Sequence, residues 1–253
     1  MQHRRNPDAF QLLPSEFPMT HPLRVRALLF DLDGTLVDTE DQTDQAIQIV
    51  VARHGVAGFS LPHAETRGRT WGHVAQTIRA QTGIAIPAAT LTEELLALWN
   101  TVTARATAIP GAPQALRAAA ASGLKLAVVS SSPRAVIARF LEQLGVASLV
   151  GPHDRVGGDD VKRGKPDPEG FLRAARTFGV DPAEALVFED SDAGLRAARA
   201  ASMRSMFVTC RAGDVAALGK LATACCTDYR ALPAGFWDQL VAGTSEFAGS
   251  SFS

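Results

Sequence analysis

An apolar run from Val25 to Phe30 delivers two acids one residue apart, Asp31 and Asp33, and Gly34-Thr35 follows at once. The apolar stretch reads as a buried strand, and Asp-Gly reads as the turn that stops it. Open parallel sheets collect their chemistry outside the carboxyl ends of the strands. Two carboxylates at that place suit a hard cation, a nucleophile, or both. A plain strand-ending turn stays open on this segment alone, so the rest of the chain has to decide.

Beyond Asp38 the pattern changes. Residues 39–108 carry helical periodicity and no convincing strand, with helices expected over 40–54, 71–81 and 91–106. From Ile109-Pro110-Gly111 onward strands and helices alternate. Helices are expected over 113–122, 134–144, 168–178 and 194–201. Strands are expected over 124–129, 149–150, 185–188, 205–208 and 223–226. This alternation predicts an α/β chain with a Rossmann-like core, a parallel sheet and an all-helical cap domain inserted after the first strand. The domains are read as a flexible extension over 1–22, a catalytic core over 23–38 and 109–240, a helical cap over 39–108 and a flexible tail over 241–253.

Each strand of the alternation ends in a polar group of a particular kind. Asp31 and Asp33 end the first, Ser130 the second and Glu189-Asp190 the fourth, while a basic segment holding Lys165 precedes the helix over 168–178. Each has a dull explanation as a cap or a turn. Four such groups in order along one sheet edge are hard to attribute to capping. They suit phosphoryl transfer, because a phosphate monoester repels nucleophiles and needs a cation clamp, a positioned nucleophile and an acid for the leaving oxygen. Mg²⁺ takes carboxylates, water and substrate phosphate as ligands. Asp31 and Asp190 can supply the carboxylates, Lys165 can neutralise charge and Ser130 can bond a phosphoryl oxygen. An aspartate nucleophile would form an aspartyl-phosphate.

With Asp31-Leu32-Asp33-Gly34-Thr35, Ser130, Lys165 and Glu189-Asp190 in this order, the chain resembles the haloacid dehalogenase-like superfamily, in the branch with a helical cap after the first strand. The resemblance spans about residues 24–230. It implies that Asp31 is the nucleophile and a metal ligand. It implies that Asp33 is general acid and then base, with its backbone carbonyl on the metal. Asp190 is implied as a metal ligand, and Glu189 as a group that orients metal-bound water or binds the metal directly. Ser130 and Lys165 are implied to hold the phosphoryl oxygens.

Within that family the dehalogenases lack the second aspartate, which is present here as Asp33. Mutases of the beta-phosphoglucomutase type resemble one another in a cap motif Lys-Gly-x-Ser-Arg, and the matching stretch is Arg67-Gly68-Arg69-Thr70-Trp71. Trp71 stands where the motif has arginine, and Pro133-Arg134 stands where the mutases carry Lys-Asn. Arg69 or Arg134 can still hold a second phosphate, so a phosphomutase is the alternative. A non-catalytic binding or regulatory member is another. The favoured expectation is a Mg²⁺-dependent phosphatase of a small phosphorylated sugar or polyol. Its substrate-binding residues are expected to be Arg67, Gly68, Arg69, Thr70, Ser131 and Arg134.

A net charge of −1 over 253 residues gives no electrostatic argument for nucleic acid or an acidic membrane surface, and no apolar run reaches the length of a membrane span. The partner expected is a small phosphomonoester, with no nucleic acid and no membrane. The oligomeric state is left open, a monomer included. Cys210, Cys225 and Cys226 lack metal spacing and read as reduced cysteines of a cytoplasmic protein.

Overall fold

The computed structural model describes residues 10–13, 24–211 and 214–243. Nine strands follow along these residues: β1 (Gln11–Leu12), β2 (Ala27–Phe30), β3 (Val37–Asp38), β4 (Thr107–Ala108), β5 (Lys125–Val129), β6 (Arg155–Val156), β7 (Ala185–Glu189), β8 (Arg204–Val208) and β9 (Ala224–Cys226). Seven of them form one sheet in the order β1-β9-β8-β7-β2-β5-β6. All neighbours in it are parallel except β1 against β9.

The four residues of β2 are all buried, and the strand lies between β5 and β7 with Phe30 opposite Val128 and Phe188. Alternate side chains of β2 leave on opposite faces. Leu28 and Phe30 join a large core that also takes in Trp71, Trp99, Phe140 and Phe236. Ala27 and Leu29 join a second core with Phe171, Ala174 and Ala197. Burial on both faces explains why this strand reads as an unbroken apolar run.

The cap is built from α1 (Glu40–Arg53), α2 (Trp71–Thr82) and α3 (Ala88–Val102). Thr70 caps α2 by accepting from His73 N at 3.3 Å, and Gly83 ends it in the left-handed conformation at φ 73°. The chain enters the cap through β3 and leaves through β4, which pair antiparallel, Val37 with Ala108 and Asp38 with Thr107. The core helices are α4 (Ala112–Ala121), α5 (Arg134–Gln143), α6 (Glu169–Phe178), α7 (Asp192–Ala200), α8 (Val215–Gly219) and α9 (Phe236–Ala242). None of the described helices is long and apolar enough to cross a membrane.

The structure is the expected α/β chain, a Rossmann-like core with an inserted helical cap, but it departs from the sequence reading in three places. The stretch over 149–150 is no strand: a single 3₁₀ turn spans Ala147–Leu149, and the edge strand is β6. Two-residue strands carry too little alternation to be read, and the same holds for β4. The extension over 1–22 contains β1, whose Gln11 pairs with Cys225 along the otherwise open edge of β9. The remainder of that extension, and residues 244–253 of the tail, lie outside the described residues.

Candidate active site

The turn after β2 is tightly wound. The Leu32 carbonyl accepts from the amides of Thr35, Leu36 and Val37, and Gly34 takes a left-handed φ of 81°. This conformation favours glycine, and the neighbourhood demands it too, since a Cβ at Gly34 would collide with Asp190 Oδ2. The turn thereby presents Asp31 and Asp33 beside the end of β7, where Glu189 and Asp190 follow in chain order. Ser191 caps α7 by accepting from Gly194 N at 3.0 Å.

Lys165 reaches this cluster from the loop before α6 and is 8% exposed. Its ammonium donates to Asp31 Oδ1 and to Glu189 Oε1, each at 2.5 Å. The other oxygen of Glu189 accepts from Asp190 N, Ser191 N and Ser191 Oγ, all at 2.9 Å. Glu189 is thus engaged at both oxygens, which suits an orienting role. Burial works against the charge on Lys165, but Asp31 and Glu189 overcome it and hold the lysine well above its ordinary range. Burial also pushes Asp31 up; Lys165 opposes this, and Glu189 and Asp33 add to it.

Asp33 lies beside that pair on the same turn. Its Oδ1 accepts from Thr39 Oγ1 at 3.0 Å, and its Oδ2 accepts from Ser132 Oγ at 2.9 Å and Ser130 Oγ at 3.4 Å. Burial raises this carboxyl, and the hydrogen bonds from Ser132 and Thr39 offset part of the rise. Asp31 and Asp33 therefore sit in different settings, one salt-bridged to an ammonium and the other held by hydroxyls. Burial raises both, and Asp33, held by hydroxyls and free of a salt bridge, is the better placed to carry a proton.

The donor set fits a hard divalent cation. Asp31, Glu189 and Asp190 offer oxygens that all lie within 4.8 Å of one another. Asp190 Oδ1 accepts from Thr35 at 3.2 Å, while its Oδ2 is buried without a hydrogen-bond partner. A buried acceptor left unpaired is costly. Burial first, and then the charges of Glu189 and Asp31, push Asp190 well up. A divalent cation between Asp31 and Asp190 would relieve both conditions.

The cap closes over this edge. A small cavity of about 40 Å³ is lined by Asp31 and Asp33 on the core side and by Arg67, Gly68 and Arg69 on the cap side. Ser131 Oγ donates to the Gly68 carbonyl at 2.8 Å, which joins the loop after β5 to the cap loop. Gly68 has φ 67°, and a Cβ there would collide with Ser191 Oγ. Thr70 serves as the cap of α2 and lies against Gly164, next to Lys165. Arg134 points elsewhere: its Nε and Nη2 form a two-pronged pair with Asp160 at 2.9 and 2.7 Å, and it does not line the cavity.

The sequence reading missed Glu40, Thr43 and Trp99, which also line the cavity, and Thr39 and Ser132, which hold Asp33. Glu40 opens a helix, where an acid is common for dipole reasons. Trp99 sits at a helical apolar position, so nothing in the sequence separates it from core. Ser132 could have been found, since it closes the run Ser130-Ser131-Ser132 at a strand end.

The family model for haloacid dehalogenase-like hydrolase matches residues 25–202. A validoxylamine A 7'-phosphate phosphatase of Streptomyces hygroscopicus subsp. limoneus is 34% identical over 184 residues, covering 70% of this chain and 83% of that protein. Hexitol phosphatase A of Escherichia coli strain K12 is 34% identical over 182 residues, covering 71% and 81%. The solved structure of a beta-phosphoglucomutase from Clostridium difficile superposes with a TM-score of 0.71 at 22% identity, covering 86% of this chain and 97% of that one. This last likeness concerns the fold.

Proposed function

We propose that this chain, which belongs to the haloacid dehalogenase-like hydrolases, is a Mg²⁺-dependent phosphatase acting on a small phosphorylated sugar or polyol through an aspartyl-phosphate on Asp31. The observation that carries this reading is Asp33, a second carboxyl raised by burial and held by Thr39, Ser130 and Ser132 beside the salt-bridged Asp31. A halide leaves without a proton; an alkoxide needs one.

In the first step a carboxylate oxygen of Asp31 attacks phosphorus, and a P–O bond forms as the bond to the leaving oxygen breaks. Asp33 gives its proton to that oxygen. In the second step Asp33, now ionised, takes a proton from water. The water oxygen attacks phosphorus, and inorganic phosphate leaves as the Asp31 carboxylate is restored. Lys165 and Ser130 hold phosphoryl oxygens, and Lys165 keeps Asp31 oriented. Asp31 and Asp190, with the Asp33 backbone carbonyl, would hold Mg²⁺, which supplies charge neutralisation on the phosphoryl group. Glu189 orients Lys165 and the start of α7.

The relatives support the substrate class: one is a phosphatase of validoxylamine A 7'-phosphate and another a hexitol phosphatase. A mutase needs a second phosphate site, and Arg134, one of the two arginines available for it, is committed to Asp160. Borohydride trapping tests the covalent step. Reduction during turnover is expected to convert Asp31 to homoserine, detectable by peptide mass. An unmodified Asp31 in an enzyme caught in turnover would contradict the proposal.

A further inference from the structure

Glu40 and Arg67 form an ion pair between the first residue of α1 and the cap loop, Nε to Oε2 at 2.6 Å, with each side chain 12% exposed. Arg67 also donates to the carbonyl of Arg211 in the core. Both members line the cavity over Asp31 and Asp33.

A half-buried ion pair adds little to stability by itself, and this one stands in an unfavourable place. Burial raises Glu40, with Arg67 opposing and the charge of Asp33 adding to the rise; Glu40 in turn raises Asp190. A carboxylate so near the catalytic acids opposes the approach of an anionic ester. Yet its Oε1 makes no hydrogen bond among the described residues. The wall beside it is formed by Trp71 and Trp99, edge to face at 5.6 Å, and the Trp99 indole N–H is already given to Thr43 Oγ1. Among the described residues the Arg69 side chain donates only to the Ala64 carbonyl, at 3.5 Å. The chamber therefore offers a free carboxylate oxygen, guanidinium donors and two indole rings. Acceptor, donor and ring together suit a leaving group rich in hydroxyls.

We propose that Glu40, oriented by Arg67, is a specificity-determining residue: its free oxygen accepts from hydroxyls of a neutral polyhydroxylated leaving group, and its charge turns away phosphate esters that carry a further acid. This rests on the phosphatase reading above. An acceptor placed for a substrate hydroxyl discriminates against a substrate that lacks it.

The test measures kcat and KM for wild type and Glu40→Gln on a hexitol monophosphate, phosphoglycolate and p-nitrophenyl phosphate, with Mg²⁺. In the variant, kcat/KM for the hexitol ester is expected to fall about tenfold or more while that for phosphoglycolate rises, because Arg67 is no longer neutralised. Equal change on both substrates would reduce Glu40 to a strut and overturn the inference. Glu40→Asp covers the case in which the amide variant does not fold. It keeps the charge and shortens the reach, so it should still exclude phosphoglycolate while losing the hexitol ester; unchanged hexitol turnover would contradict the proposal. If the wild type turns over none of the three esters, the phosphatase reading falls and takes this inference with it. Turnover with unaltered discrimination sinks the inference alone.

Discussion

The ammonium of Lys165 lies 2.5 Å from Asp31 Oδ1, joining the loop before α6 to the end of β2 across 134 positions of chain. The pair is buried, and the same ammonium also meets Glu189. Replacing Lys165 by Met would leave two buried carboxylates uncompensated, at a cost of about 3–5 kcal/mol. Urea unfolding of the metal-free protein should register that loss. Phosphatase turnover should fall below detection.

Asp31→Asn should abolish turnover and leave the fold intact, since a carboxamide oxygen is a poor nucleophile toward phosphorus. Circular dichroism and thermal melting should match the wild type within a few degrees.

Asp33→Asn separates metal binding from proton transfer. Its proposed contact with Mg²⁺ is a backbone carbonyl, so calorimetric Mg²⁺ affinity should be retained. Turnover should fall by about 10²–10⁴, the usual worth of a general acid. Esters with a good leaving group, such as p-nitrophenyl phosphate, should suffer less.

Gly68→Ala places a Cβ against Ser191 Oγ at a left-handed φ. The cap loop can no longer seat on the core while Ser131 holds its carbonyl. We expect KM to rise for the natural class of ester, with a stability loss of about 1 kcal/mol.

The metal-free protein should lose stability as pH rises above the ordinary carboxylate range. Asp33, Asp190 and Glu40 are all raised, mainly by burial. A raised carboxyl binds more protons folded than unfolded, so its contribution is present at low pH and lost as pH climbs toward the folded value. Asp160 and Asp228 are lowered, each through its arginine, and act in the opposite sense only below the ordinary range. Thermal melts across pH, with and without Mg²⁺, should show a decline that the ion reverses.

The core side of the candidate site was legible because most of its residues sit in contiguous runs at strand ends, where topology brings them together. Asp31, Asp33, Ser130, Glu189 and Asp190 meet for that reason, and Lys165 joins them from the loop before α6. The cap side was legible only in part. Arg67, Gly68 and Arg69 reach the cavity, but Arg134 turns to Asp160, a partner that no spacing announces. Glu40 and Trp99 were invisible because their role depends on how α1 and α3 close over the core. The start of α1 shows the same: Thr39 stands at the cap position but gives its hydroxyl to Asp33, and Asp38 pairs with Arg211.

The most direct measurement is phosphate release from a panel of sugar and polyol monophosphates, run on wild type and Asp31→Asn with Mg²⁺ and again with a chelator. The account predicts release by the wild type only, and only with the metal. Metal-independent release, release by Asp31→Asn, or isomerisation of the ester with its phosphate retained would contradict it.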